Sequence, residues 1–175
     1  MITSNQRITH KMDCNHSSSE RANGLALITC IDEELALSLF LSLPVNLAQK
    51  VCSFAPDPSF DIQQCLTRHK AAIIVDATNN GTALGTVSII DGSHLLYPSD
   101  HPPFQSCQGL LSETISLARK RGRLPTRIIL FGIELGPADL YQTIENNLQP
   151  KLPNLVTKLS YLVAKVVETL DRVSS

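Results

Sequence analysis

The feature that most constrains the fold of this chain is an apolar run that ends abruptly in one carboxylate. Residues 71–75 read Ala-Ala-Ile-Ile-Val, and Asp76 follows them directly. A polar segment with two glycines then leads into a second apolar run, 86–90. Central strands of a parallel sheet are buried on both faces, so they read as unbroken apolar runs. The pattern therefore predicts a buried strand with Asp76 at its carboxyl end, the edge at which open α/β sheets bind their ligands.

The position of Asp76 makes it a candidate functional residue. A carboxylate taken out of water is costly unless a metal ion, a set of hydrogen-bond donors or a cation compensates its charge. We therefore expect Asp76 to have a functional rather than a purely structural role.

Composition excludes several classes of protein. The chain has 175 residues, of which 43% are hydrophobic, and a net charge of −1. That size suits one domain with a substantial core, and the balanced charge argues against nucleic-acid binding or attachment to an anionic membrane. The apolar runs are too short to span a bilayer, and the first residues lack the apolar segment of a signal peptide. We expect a cytoplasmic protein that is a monomer.

The order of apolar and polar segments predicts a single folded domain after a disordered extension. Residues 1–23 are polar and almost free of large apolar side chains, so we expect disorder there, and one α/β domain over 24–175. Strands alternating with helices predict a three-layer sandwich, with helices on both faces of a mostly parallel, twisted, five-stranded sheet. The predicted strands are 25–31, 51–55, 71–75, 86–90 and 127–133, and the predicted helices are 32–43, 60–68, 108–121 and 153–170.

Acidic residues follow three of the predicted strands. They are the group Asp32, Glu33 and Glu34, then Asp76, then Glu134. Carboxylates that meet at one edge of a parallel sheet can bind a divalent cation or act in acid–base catalysis. For the first group a structural interpretation is favoured, in which Asp32 caps the next helix and its neighbours occupy a solvated first turn.

Cysteine and histidine residues leave several interpretations open. Cys107 lies at the start of a predicted helix, where a thiolate is favoured, so it could be a nucleophile or a soft metal ligand, although a merely packed cysteine is more common. His94 and His101 lie in the preceding loop and could act with it, and a cysteine hydrolase that uses Cys107 with His101 is a remote alternative. Cys30, Cys52 and Cys65 are expected to be small buried side chains, since the spacing suggests neither a disulfide framework nor a zinc site.

Several segments together resemble the maturation endopeptidases of NiFe hydrogenases. The resemblance is carried by Ile73–Thr78 with Gly81, by Gly85–Asp91 and by Leu130–Glu134, and more loosely by Asp32–Ala36, Gln105–Leu111 and Leu148–Leu170. In addition, Ser53–Pro56 is similar to a segment of the branch linked to formate metabolism.

The resemblance implies a specific activity. Enzymes of this family recognise nickel already bound in the precursor of the hydrogenase large subunit and remove its C-terminal extension. It implies that Glu33 and Asp76 are metal ligands and catalytic residues, that nickel is supplied by the substrate, and that the third ligand position is occupied here by Cys107 in place of histidine. His94 or His101 could supply the missing imidazole.

Two departures from the family pattern keep a second function open. The glycine-containing loop before the acidic helix is missing, since Ile31 leads directly into Asp32, and cysteine replaces the histidine ligand. The alternative is a non-catalytic member that binds the precursor as an assembly factor.

Overall fold

The protein forms a five-stranded sheet between two layers of helices. The structure, a computed structural model, describes residues 24–54, 62–92, 115–122, 124–137 and 147–173. The expected disorder of residues 1–23 therefore lies outside the described residues. The elements are β1 (Leu25–Thr29), α1 (Glu33–Leu41), α2 (Val45–Ala48), β2 (Val51–Phe54), α3 (Ile62–Arg68), β3 (Ala71–Thr78), β4 (Val87–Asp91), α4 (described over residues 115–120), β5 (Arg127–Glu134) and α5 (Leu152–Val173).

The strand order confirms the predicted mostly parallel α/β sheet. The order is β2-β1-β3-β5-β4. The first four strands in this order are mutually parallel, with Leu25 opposite Ala71 and Ala71 opposite Arg127. Only β4, at one edge, runs antiparallel to its neighbour β5. The carboxyl ends of β1, β3 and β5 consequently share one edge of the sheet, as the sequence predicts for a parallel arrangement.

Each face of the sheet has its own hydrophobic core, which confirms the three layers. Strand residues of alternating parity point to opposite faces. The first core joins one face to α1 and α5, and includes Leu27, Leu39, Ile73, Phe131, Leu155, Leu159 and Val163. The second core joins the other face to α3 and α4, and includes Ala26, Ile28, Leu66, Ile74, Ile115, Ile128 and Leu130.

Helix α5 covers the first face with the apolar stripe that its sequence predicts. Apolar residues recur at intervals of three and four along it, which places them on one side of a helix. Its buried residues are Leu155, Leu159, Leu162, Val163, Val166 and Val167, whereas Leu170 is partly buried. None of the helices within the described ranges is both long and apolar enough to cross a membrane.

The central strand is longer than the sequence predicts, and this corrects the location of Asp76. The prediction ended the strand at Val75, but β3 continues to Thr78 and all eight of its residues are buried. The extension is stabilised by β5, because Asp76, Ala77 and Thr78 lie in register with Gly132, Ile133 and Glu134. Asp76 therefore lies inside a paired strand rather than just beyond its end.

One further local expectation is wrong. The helix predicted over residues 32–43 ends at Leu41, and Pro44 is the N-cap of the short helix α2. Pro44 therefore begins a second helix, because its fixed φ is compatible with a helix start.

The cysteines also depart from expectation. Cys30 is buried as expected, but it is disulfide-bonded, and its partner is not among the described residues. Cys52 and Cys65 are not disulfide-bonded, and of these two only Cys65 is fully buried.

Candidate active site at the carboxyl edge of the sheet

A polar patch occupies the second face of the sheet near its carboxyl edge. Ile74 on β3 and Leu130 on β5 belong to the second core. Alternation then places Asp76, Thr78 and Glu134 on that same face, farther along the two strands. All three side chains are buried, so the core changes from apolar to polar towards this edge.

The carboxylate of Asp76 lies within the sheet, in register with a glycine of the neighbouring strand. Asp76 is 1% exposed, and its Oδ1 accepts a hydrogen bond of 2.7 Å from the main-chain N–H of Ala77. Its in-register neighbour on β5 is Gly132, which in turn lies opposite Ser88 on β4. The β5 position in register with Asp76 therefore carries no side chain.

The carboxylate of Glu134 accepts hydrogen bonds from the last residue of β3 and from the loop that follows it. Glu134 is 2% exposed. Its Oε2 accepts hydrogen bonds from the Thr78 hydroxyl at 3.0 Å and from the Asn80 main-chain N–H at 2.9 Å. The Asn80 N–H also lies 3.1 Å from Oε1. Glu134 thus acts as a structural anchor, and the sequence-based view of it as a candidate ligand or acid–base residue has no support from these contacts.

The main chain around Glu134 holds the other end of the same loop, residues 79–86. The carbonyl of Glu134 accepts from the Gly85 N–H at 2.8 Å, and the Glu134 N–H donates to the Thr86 carbonyl at 2.9 Å. The Leu135 N–H donates to the Thr78 carbonyl at 3.1 Å. One residue of β5 therefore fixes both ends of the loop that connects β3 to β4.

Lys151, just before α5, makes a third contact that fixes the loop. Its Nζ donates a hydrogen bond to the Leu84 carbonyl. Gly85 has a φ of +76°, and a Cβ added there would lie 2.7 Å from Cδ of Lys151. Glycine is thus needed at position 85 both for its backbone conformation and for the close approach of the lysine.

The acidic group at the start of α1 is exposed to solvent, and the segment that leads to it is bonded to the strand that carries Asp76. Asp32 caps α1 as predicted, since its carboxylate accepts from the Glu34 N–H at 2.9 Å and the Leu35 N–H at 3.4 Å. Glu33 and Glu34 are exposed in the first turn. The Cys30 N–H donates to the Val75 carbonyl at 2.7 Å, which places the connection from β1 to α1 beside the strand that carries Asp76.

The remaining predicted site residues lie outside the described residues. These are Cys107, His94 and His101. Among the residues that the structure does describe, no group of three or more His, Cys, Asp or Glu side chains is arranged to hold a metal ion. Glu33 and Asp76 are therefore the two described members of the predicted ligand set.

Sequence reasoning missed Thr78 and Asn80 as partners of Glu134. They are separated from it by 56 and 54 positions, so no local pattern connects them. A weak signal was available, since a carboxylate directly after the apolar run 128–133 requires buried donors.

Comparison with solved structures finds the same architecture in a hydrogenase-processing enzyme. The chain is similar to the hydrogenase maturating endopeptidase HybD from E. coli, with a TM-score of 0.53 and 14% identity over 82% of this chain and 93% of that one. It also matches HybD from Thermococcus kodakarensis, with a TM-score of 0.48 and 17% identity over 81% of this chain and 98% of that one.

Comparison of sequences alone finds no such likeness. No family model matches the chain, and no curated protein matches it. At 14% identity, the match to HybD from E. coli concerns the backbone architecture. On this structural likeness, the chain has the fold of a hydrogenase maturation endopeptidase.

Proposed function

We propose that the protein is an endopeptidase that removes the C-terminal extension of a nickel-loaded hydrogenase large-subunit precursor. The observation that carries the proposal is a buried carboxylate, Asp76, near the carboxyl edge of a sheet with the fold of HybD from E. coli. The solved structure of that protein bears the description of a hydrogenase maturating endopeptidase. Its activity is extended here to this chain.

The donor chemistry of the described residues is compatible with nickel that arrives with the substrate. Carboxylate oxygens can bind divalent transition metals, and a thiolate is a softer ligand that also suits nickel. Asp76 and Glu33 would contribute oxygen ligands, and Cys107 is the proposed third ligand. Two protein carboxylates suffice for recognition when the ion keeps ligands from the precursor.

The contribution of the protein is a carboxylate whose orientation is set before substrate binds. Nickel bound in the precursor would supply a Lewis acid at the scissile carbonyl. Asp76 is held in a strand paired on both sides and its Oδ1 accepts from the Ala77 N–H, so little reorganisation is needed. Glu33, which is exposed on the first turn of α1, is accessible to a macromolecular substrate.

The test is a processing assay in which purified protein is mixed with nickel-loaded precursor and the mass of the precursor is measured over time. We expect loss of a C-terminal peptide with the wild type and none with Asp76→Asn. Glu33→Gln should slow cleavage, whereas Glu34→Gln is the matched control, because both glutamates are exposed in the same helical turn. Unchanged processing by Asp76→Asn would contradict the proposal.

One observation favours the alternative, an assembly factor that binds the precursor without cutting it. Only residues 30–32 separate β1 from α1, so the glycine-containing loop of the family pattern has no counterpart in this connection. Stable binding of a precursor that an active endopeptidase does cleave, without a change in its mass, would establish this alternative.

A further inference from the structure

The loop that follows Asp76 is exposed at its tip and anchored at both ends. Residues 79–83 are all exposed, whereas Gly85 is buried. Thr78, Asn80 and Gly85 donate hydrogen bonds to Glu134. The Glu134 N–H donates to the Thr86 carbonyl, and Lys151 donates to the Leu84 carbonyl. We define residues 79–83, Asn-Asn-Gly-Thr-Ala, as the loop tip.

This anchoring is greater than a connection between two strands requires. Strands β3 and β4 are not neighbours, since β5 lies between them, so the loop crosses the carboxyl end of β5. An exposed connection of this kind could remain loosely held without loss of core packing, because its tip buries no apolar side chain. Fixing polar groups in advance instead reduces the entropy lost when a partner binds.

The loop tip also lies on the chain directly after the candidate catalytic strand. Three positions separate Asp76 from Asn79, and Glu134 holds the intervening Thr78 by its hydroxyl. The buried side chain of Glu134 therefore helps to fix the position of the tip relative to the Asp76 carboxylate. The tip has uncharged amide, hydroxyl and main-chain groups, which suit hydrogen bonding to an extended polypeptide rather than to a charged ligand.

We propose that the loop tip binds the polypeptide segment next to the cleavage site of the substrate, and that Glu134 is the positioning residue that holds this tip in place. The inference rests on the proposed function, because it takes the precursor as the partner. Glu134 acts through the loop and has no contact with the reacting atoms.

The test compares KM and kcat for precursor cleavage, with Kd for precursor binding, in a set of variants. Thr78→Val removes one donor to Glu134, and we expect KM and Kd to rise about fivefold, the effect of one hydrogen bond, with kcat nearly unchanged. Thr78→Ser restores the hydroxyl and should restore KM. Thr169→Val is the matched control, because the Thr169 hydroxyl donates a hydrogen bond to the Lys165 carbonyl at an exposed position of α5.

A second pair of variants probes the tip itself without touching its anchors. Asn79→Ala and Thr82→Ala alter exposed side chains, so folding should be unaffected, and we expect weaker precursor binding from the two combined. If the wild type is active, and if this double variant and Thr78→Val both have normal KM and Kd, the inference about the loop is overturned and the proposed function stands. If the wild type neither binds nor cleaves the precursor, the proposed function fails, and the role of the loop fails with it.

Discussion

Two buried carboxylates on adjacent strands of this sheet have opposite surroundings. Asp76 on β3 and Glu134 on β5 lie on the same face and are 1% and 2% exposed. Glu134 accepts hydrogen bonds from a hydroxyl and a main-chain N–H of the following loop. Oδ1 of Asp76 accepts a hydrogen bond from the N–H of the next residue in its own strand, and its in-register neighbour on β5 is a glycine.

The difference teaches that burial alone does not identify a functional acid. Both residues would be selected by a search for buried charges, yet the oxygens of Glu134 are directed at loop donors. Asp76 instead lies in register with Gly132, which carries no side chain. The donors on the loop, rather than the depth of burial, identify Glu134 as an anchoring carboxylate.

The largest expected contrast is in activity. Asp76→Asn should abolish precursor cleavage, whereas Glu134→Gln should lower it by about 10- to 100-fold, a range typical of residues that act through a neighbour. Asparagine keeps an oxygen that can accept from the Ala77 N–H, so this main-chain contact of the side chain is preserved. Processing assays and urea denaturation of the two variants together provide the measurement. Equal losses of activity would remove the distinction.

The next contrast is in stability. Glu134→Ala deprives the Thr78 hydroxyl and the Asn80 N–H of a charged acceptor, so it should lower the free energy of unfolding by about 2–3 kcal/mol. The control is Glu168→Ala on α5, whose ion pair with Arg172 is exposed and should contribute less than about 1 kcal/mol. Urea denaturation midpoints with unchanged slopes would give both values. A Glu134→Ala variant as stable as the control would show that the loop does not depend on its anchor.

The two glycines of the loop provide a sharper comparison. Gly81 and Gly85 have φ values of +71° and +76°, but only Gly85 has neighbours within 4 Å of an added Cβ. Gly81→Ala should therefore lower the free energy of unfolding by about 1 kcal/mol from backbone strain alone.

Gly85→Ala should cost about twice as much, because the added methyl group also displaces Lys151. Thermal denaturation of both variants measures the difference. Equal shifts in Tm would mean that the lysine moves aside without loss.

The smallest expected effect concerns Lys151 itself. Lys151→Ala removes the hydrogen bond to the Leu84 carbonyl, and should lower the free energy of unfolding by about 0.5–1 kcal/mol. Lys158→Ala, an exposed position on α5, is the matched control and should be close to neutral. Faster hydrogen exchange at the Gly85 N–H in the first variant only would locate the effect in the loop.

Much of the fold could be predicted from the sequence because its signals are local. The unbroken run 71–75 and the three- and four-residue periodicity of α5 identify a central strand and a covering helix without knowledge of their partners. The end of β3 could not be predicted in the same way. Asp76 interrupts the apolar run, and only pairing with Gly132, Ile133 and Glu134 shows that the strand continues.

The same contrast between local signals and contacts with distant residues applies to the candidate site. The capping role of Asp32 follows from neighbouring residues, whereas the catalytic role of Asp76 stays a prediction. The anchoring role of Glu134 depends on donors more than fifty positions away, which sequence patterns do not connect. The role of Cys107 as a ligand stays a prediction.

The insertion of β5 between β3 and β4 has a consequence for the order in which the chain can assemble. Within the described sheet, β4 pairs with β5 alone, and β5 is synthesised some forty residues later. On a ribosome, β1, β2 and β3 can associate while Val87–Asp91 has no strand to join. The β4 edge of the sheet and the loop after Asp76 can therefore form only once Glu134 has been synthesised. The region proposed to carry activity is thus among the last to become ordered.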